Sequence, residues 1–188
     1  MTVEERQLID YLLSVIYKAN KNKKDKEDKR TTAKNYFLSK FTTDITQHPE
    51  YLKQLFEVAY IEKANRDVEK LITLTGIFGL YTEDLVDILI KIILEPWHYW
   101  HETIASIFEQ LKSPRTVDAL FKAATAKYEY MPFDGGIRPL IVQCIWSLGA
   151  INTPEAREKI IKIAELIDDS IVKERAEMQL RGDRGPML

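Results

Sequence analysis

The sequence predicts an all-α fold, an α-solenoid of antiparallel helix pairs. Two observations carry this. A phrase occurs twice: Ser113-Pro114-Arg115-Thr116-Val117-Asp118-Ala119-Leu120 returns about 40 residues later as Thr153-Pro154-Glu155-Ala156-Arg157-Glu158-Lys159-Ile160. Each copy has a hydroxyl residue at the cap, a proline at the first helical position, and an amphipathic helix behind it. Second, no alternating strand pattern occurs anywhere, and the chain holds only seven glycines, which favours helix over β-rich structure. A helical pair repeated at this period must stack on its neighbours to bury its apolar faces.

Taken in order, Thr2-Val3-Glu4-Glu5 reads as a capping box opening a helix to about Ala19, with Leu8, Ile9, Leu12, Val15 and Ile16 on one side. Lys18 to Arg30 lacks apolar periodicity and reads as a solvated Lys-rich loop. Helices are expected from Thr31 to Phe41, from His48-Pro49 to about Tyr60, and from Asp67 to Leu80. Further helices run from the Thr82 cap to Leu94, from Pro96-Trp97 to Leu111, and from Ser113-Pro114 to about Lys127. Beyond an aromatic loop, Tyr128 to Gly136, helices are expected over Ile137–Leu148 with Gly149 as the stop, over Thr153–Leu166, and over Ser170–Leu180. This divides one domain, 1–188, into N-terminal helices (1–64), repeats (65–181) and a frayed tail (182–188). The helix from Ile137 carries Leu140, Ile141, Cys144 and Leu148 on one face and Val142 and Trp146 on the other, the pattern of a helix packed between neighbours. Ile104, Ile107, Phe108, Leu120, Ile141, Ile145 and Leu148 are the expected core.

The net charge of −2 is unevenly spread. Residues 18–30 carry +4, which leaves −6 for the remainder. An acidic body argues against nucleic acid as the main partner. The single Cys144 fits a reducing compartment, the acidic N-terminus does not read as a signal peptide, and the apolar run Leu85–Leu94 is too short to span a bilayer. The expectation is a cytoplasmic protein with no membrane partner.

Aligning the capped helices puts Asp87, Asp118 and Glu158 in one slot and Lys91, Lys122 and Lys162 four residues on. Two readings follow: three ordinary i,i+4 pairs, or a carboxylate row across successive repeats that meets a basic protein. The cluster Trp97-His98-Tyr99-Trp100-His101-Glu102 raises the question of a metal. Its His-x-x-His-Glu order matches neither His-Glu-x-x-His nor His-x-x-Glu-His, so no metal and no cofactor is expected. The bland reading pairs His98 with Glu102 on the polar side of a helix and leaves His101 bonded within the packing. Tyr128, Tyr130 and Phe133 of the loop suit either interface anchors or a cover folded onto Trp97 and Trp100, with Asp134 capping the next helix. Trp97, His98, His101, Glu102 and Trp146 form the expected structural cluster. No catalytic residues are expected.

Trp97-His98-x-x-His101-Glu102, Ser113 to Leu120, Phe133-Asp134 and Ile145 to Ala156 together resemble bacterial HEAT-repeat proteins, over a little under half of the chain. The resemblance extends to small proteins found beside polymorphic or contact-dependent growth inhibition toxins. It implies an immunity protein that occludes a basic toxin domain; an adaptor or assembly scaffold is the alternative. Two enzyme families share the fold. Deoxyhypusine hydroxylase-like proteins use several His-Glu pairs, where this chain has only His101-Glu102. HEAT-like DNA glycosylases use a basic groove, where this chain has mixed or acidic rows.

Overall fold

The computed structural model describes residues 1–21, 26–130 and 136–183. Among the described residues there are ten α-helices and no strand. They fall into two compact units, Met1–Tyr81 and Thr82–Leu188. No described helix is long and apolar enough to cross a membrane.

The first unit contains α1 (Val3–Lys21), α2 (Lys26–Lys40), α3 (Glu50–Ile61) and α4 (Asn65–Phe78). The capping box forms as read: Thr2 N–H donates to Glu5 Oε2 at 2.8 Å, and Glu5 N–H to Thr2 Oγ1 at 3.1 Å. Tyr51 then donates its hydroxyl to Glu5 at 2.6 Å, tying α3 to α1. Arg6 grips the buried Asp67 through two nitrogens at 2.7–3.0 Å, and Lys70 meets Asp10 at 2.9 Å, tying α4 to α1. These ties place residues 65–81 with the N-terminal helices, beyond the boundary at 64 read from sequence. The Lys-rich loop is also corrected. Lys18 and Lys21 close the last turn of α1, and Lys26 to Arg30 are the opening residues of α2, with Glu27 and Asp28 in its first turn; residues 22–25 of the expected loop lie outside the described residues. Lys18 and Lys21 at the end of α1, and Glu27 and Asp28 in the first turn of α2, sit where the helix dipole favours their charge.

The second unit contains α5 (Val86–Ile93), α6 (His101–Leu111), α7 (Val117–Thr125), α8 (Arg138–Ile151), α9 (Pro154–Leu166) and α10 (Ser170–Arg181). Two short 3-10 turns, Glu83–Leu85 and Pro114–Thr116, lead into α5 and α7. Each helix packs on the helix two places along the chain: α5 on α7 and α7 on α9, α6 on α8 and α8 on α10. Sequential packing of α5 on α6, α7 on α8, and α9 on both α8 and α10 joins the two rows. All seven core residues expected in this unit are buried. The two copies of the repeated phrase differ at the cap. Thr153 Oγ1 accepts from Ala156 N–H at 3.1 Å, whereas the Ser113 hydroxyl donates to Glu83 at 3.0 Å and caps nothing.

Gly149 is not a stop. α8 runs through it and ends at Asn152, which adopts the left-handed conformation with φ 53°. The glycine is required by close approach: a Cβ there would overlap the Gln179 carboxamide and meet Gln179 Cβ at 3.2 Å. A side chain at that position would force Gln179 of α10 to move from its place against α8.

Candidate functional site

α5 ends at Ile93, and a helix end leaves carbonyls without intrahelical donors. Three side chains donate to carbonyls at and just beyond this end, one of which, Ile92 O, also accepts from Glu95 N–H at 3.0 Å. His98 Nε2–H donates to Ile92 O at 2.6 Å, Tyr128 donates its hydroxyl to Ile93 O at 3.3 Å, and His101 Nε2–H donates to Glu95 O at 2.9 Å. A carbonyl only accepts, so both rings carry their proton on Nε2. Each Nδ1 is then an acceptor, from Trp100 N–H at 3.0 Å for His98 and from the Tyr130 hydroxyl at 2.5 Å for His101. The rings are fully buried and stacked, with centroids 4.1 Å apart. Burial, and secondarily the neighbouring His98, pushes His101 down to about 3; burial also holds His98 below the usual imidazole value. Burial pushes the Tyr130 phenol up to about 12, with Glu102 and Tyr99 adding to it, so it remains a donor.

This corrects the helical reading of Trp97 to Trp100. The helix starts at His101, and residues 96–100 make the turn that brings His98 under the end of α5. His98 therefore has no polar-side pair with Glu102, which is exposed. The expectation that His101 bonds within the packing holds. Trp97 stands edge-on to His98 at 5.3 Å and donates its indole N–H to Glu95 at 3.1 Å. Trp146 belongs elsewhere, beside Glu109, Gly149 and Gln179.

The aromatic loop divides between the two readings. Tyr128 is buried against His101, with ring centroids 4.0 Å apart, so it is a cover and not an exposed anchor. Tyr130 is half-buried, and Tyr99, 62% exposed, meets it edge-on at 4.8 Å. Sequence reading missed Tyr99 because a helix through Trp97–Trp100 gave it no partner. Phe133 and Asp134 lie outside the described residues.

The acidic slots are exposed, with side-chain exposures of 60% for Asp87, 65% for Asp118 and 60% for Glu158. Only Glu158 makes the i,i+4 pair, with Lys162 at 2.5 Å. Asp87 instead pairs with Arg115 in the 3-10 turn before α7, and Asp118 with Lys159 on α9 at 2.7 Å. These cations hold Asp118 and Glu158 below the usual carboxylate range, by hydrogen bonding first and charge second. The row is thus a set of ion pairs, two of them running between elements and one within α9, and not a bare acidic stripe.

Cys144 is fully buried, and burial pushes its thiol up, away from the reactive thiolate. Among the described residues no three His, Cys, Asp or Glu side chains gather around one point that could hold a metal ion. Compared with known protein families, curated proteins and solved structures, the chain matches none.

Proposed function

We propose that the second unit is an α-solenoid of HEAT-like antiparallel helix pairs and that the protein is a non-catalytic protein-binding module. In this reading it is an immunity protein that neutralises a cognate bacterial toxin by covering a basic surface of the toxin domain. The carrying observation is the exposed row of Asp87, Asp118 and Glu158 on alternate helices α5, α7 and α9, which pack in sequence. Each cation engages one oxygen of its carboxylate, so the other can accept from an incoming Lys or Arg. Tyr99 and Tyr130 supply aromatic area of the kind that anchors interfaces. The toxin comes from the resemblance of Trp97–Glu102 and the repeated phrase to HEAT-repeat immunity proteins. A cytoplasmic location is part of the proposal, and its support is the single buried Cys144.

The enzyme readings have less support. A metal needs free imidazole nitrogens, and both rings spend theirs on the turn after α5. A glycosylase needs a cationic groove, and the repeat row alternates in sign. The rival is an adaptor that scaffolds another complex.

The test is association with the product of the adjacent gene over a salt series. Lysine reversals would set like charges beside Arg115 and Lys159, so amides are the informative replacements. The triple variant Asp87→Asn, Asp118→Asn, Glu158→Gln should slow association roughly tenfold at low salt and flatten its salt dependence. Binding as fast as wild type at every salt concentration would remove the row from the interface. A neighbouring product that binds but is harmless when expressed alone would favour the adaptor.

A further inference from the structure

The chain around the turn between α5 and α6 is short of cations. From Ile92 to Leu111 it carries Glu95, Glu102 and Glu109 and no Lys or Arg. Tyr99 and Glu102 of this stretch are both exposed, Tyr99 by 62%. Tyr130 reaches them from beyond α7, with exposed Glu129 beside it in the chain. Tyr99 and Tyr130 meet edge-on, with ring centroids 4.8 Å apart. Glu102 makes no ion pair among the described residues. It is nevertheless close to the pair: after burial, its charge is the next cause of the raised Tyr130 phenol.

Tyr130 is held from within. Its hydroxyl donates to His101 Nδ1 at 2.5 Å, and the two rings are stacked with centroids 5.5 Å apart. The buried Tyr128 ring lies 4.0 Å from His101 and 5.9 Å from Tyr130, again between centroids. The Tyr130 hydroxyl is thus spent inside the protein, and its half-buried ring is fixed before any partner arrives. The packing of this corner uses Tyr130. It does not use Tyr99, which leaves most of its surface in solvent while lying against Tyr130.

The face of an aromatic ring carries negative potential, as a carboxylate does, so rings and carboxylate together select a cation. Of the two cationic side chains, arginine suits them better. Its guanidinium is flat and weakly hydrated, and it stacks on a ring while its N–H groups still reach a carboxylate; the lysine ammonium is compact and strongly hydrated. We propose that Tyr99, Tyr130 and Glu102 form a docking point for an arginine side chain of the basic protein partner. The proposal rests on the protein-binding reading above and deepens it by naming a contact that the paired carboxylates do not supply. Asp87, Asp118 and Glu158 each already hold a cation, whereas Glu102 has none to share.

The experiment is an NMR titration of the whole chain, isotope-labelled in its tyrosine rings, with the peptide acetyl-Gly-Arg-Gly-Arg-Gly-amide. Its lysine and citrulline counterparts are the controls, citrulline keeping the shape and losing the charge. The arginine peptide should shift the ring signals of Tyr99 and Tyr130 and bind more tightly than the lysine peptide, and the citrulline peptide should leave the signals in place. Tyr99→Leu should weaken arginine-peptide binding about two- to fivefold, the worth of an exposed cation–π contact. Glu102→Gln should weaken it to a similar degree. Both positions are exposed, and thermal melts check that the variants fold. The triple variant Asp87→Asn, Asp118→Asn, Glu158→Gln should leave the Tyr99 and Tyr130 shifts unchanged. Ring signals that stay in place at millimolar arginine peptide would overturn the proposal. So would equal affinity for the lysine or citrulline peptide, or binding that survives Tyr99→Leu and Glu102→Gln undiminished. The reading beneath it fails in a different measurement: the peptide titration reports the arginine site alone, whereas a neighbouring gene product that does not associate with the chain removes the protein-binding reading.

Discussion

Acid should weaken the second unit well before its carboxylates titrate, because His98 and His101 fold as neutral rings. The unfolded chain takes up a proton on each near pH 6.5, whereas His101 in the fold stays neutral down to about 3. The folded value is depressed, so its stability contribution is complete above about pH 6.5 and is lost as pH falls towards 3. At 1.36 kcal/mol per pH unit, lowering pH from 6.5 to 5 costs about 2 kcal/mol through His101 alone. His98 is shifted in the same direction and adds to the loss. All three tryptophans, Trp97, Trp100 and Trp146, lie in the second unit, so their fluorescence reports its unfolding selectively. Denaturant titrations at pH 7, 6 and 5 would give the slope, read as the difference between wild type and His98→Gln/His101→Gln so that shared carboxylate effects cancel. The glutamine amides can still donate to Ile92 O and Glu95 O but cannot take up a proton. Equal slopes in the two proteins, or an NMR titration of His101 near 6.5 in the fold, would refute the neutral buried pair.

Three further outcomes are expected. Arg6→Ala leaves Asp67 buried without its cation and should destabilise the first unit by about 1–3 kcal/mol, measured by denaturant unfolding followed by far-UV circular dichroism. Gly149→Ala should cost about 1–3 kcal/mol through overlap with Gln179, and adding Gln179→Ala should recover most of it; thermal melts of the three variants decide this. Thr153→Ala should cost about 1 kcal/mol by removing a cap that Ala156 N–H uses, while Ser113→Ala should leave the start of its helix unchanged in amide exchange.

Local signals were legible where they closed on themselves within a few residues. The Thr2/Glu5 box, Thr153-Pro154, and the apolar faces of α6 and α8 all formed as read. Readings failed where a distant group decided the outcome. Gly149 had the look of a terminator until Gln179, thirty residues on, was placed against it. Pro96 suggested a helix start, but His98 turns inward to bond Ile92 O at the end of α5, and the helix begins only at His101. Lysines four residues behind the acidic slots were the obvious partners by spacing, yet Arg115 and Lys159 reach two of those slots from elements further along the chain. Tyr99 had no local signature, because the pair it makes with Tyr130 joins chain segments far apart in sequence.

The row of ion pairs constrains how this surface can change over time. Asp87 answers to Arg115 and Asp118 to Lys159, so a charge altered on one element leaves an unmatched group on the element paired with it. Substitutions that retune the face are then expected to arrive as couples, one on each of the two paired elements. Among related sequences, positions 87 and 115 should vary together, as should 118 and 159, while 158 and 162 covary within a single helix. A lineage in which this face changes charge would carry the change as paired replacements and not as scattered single ones.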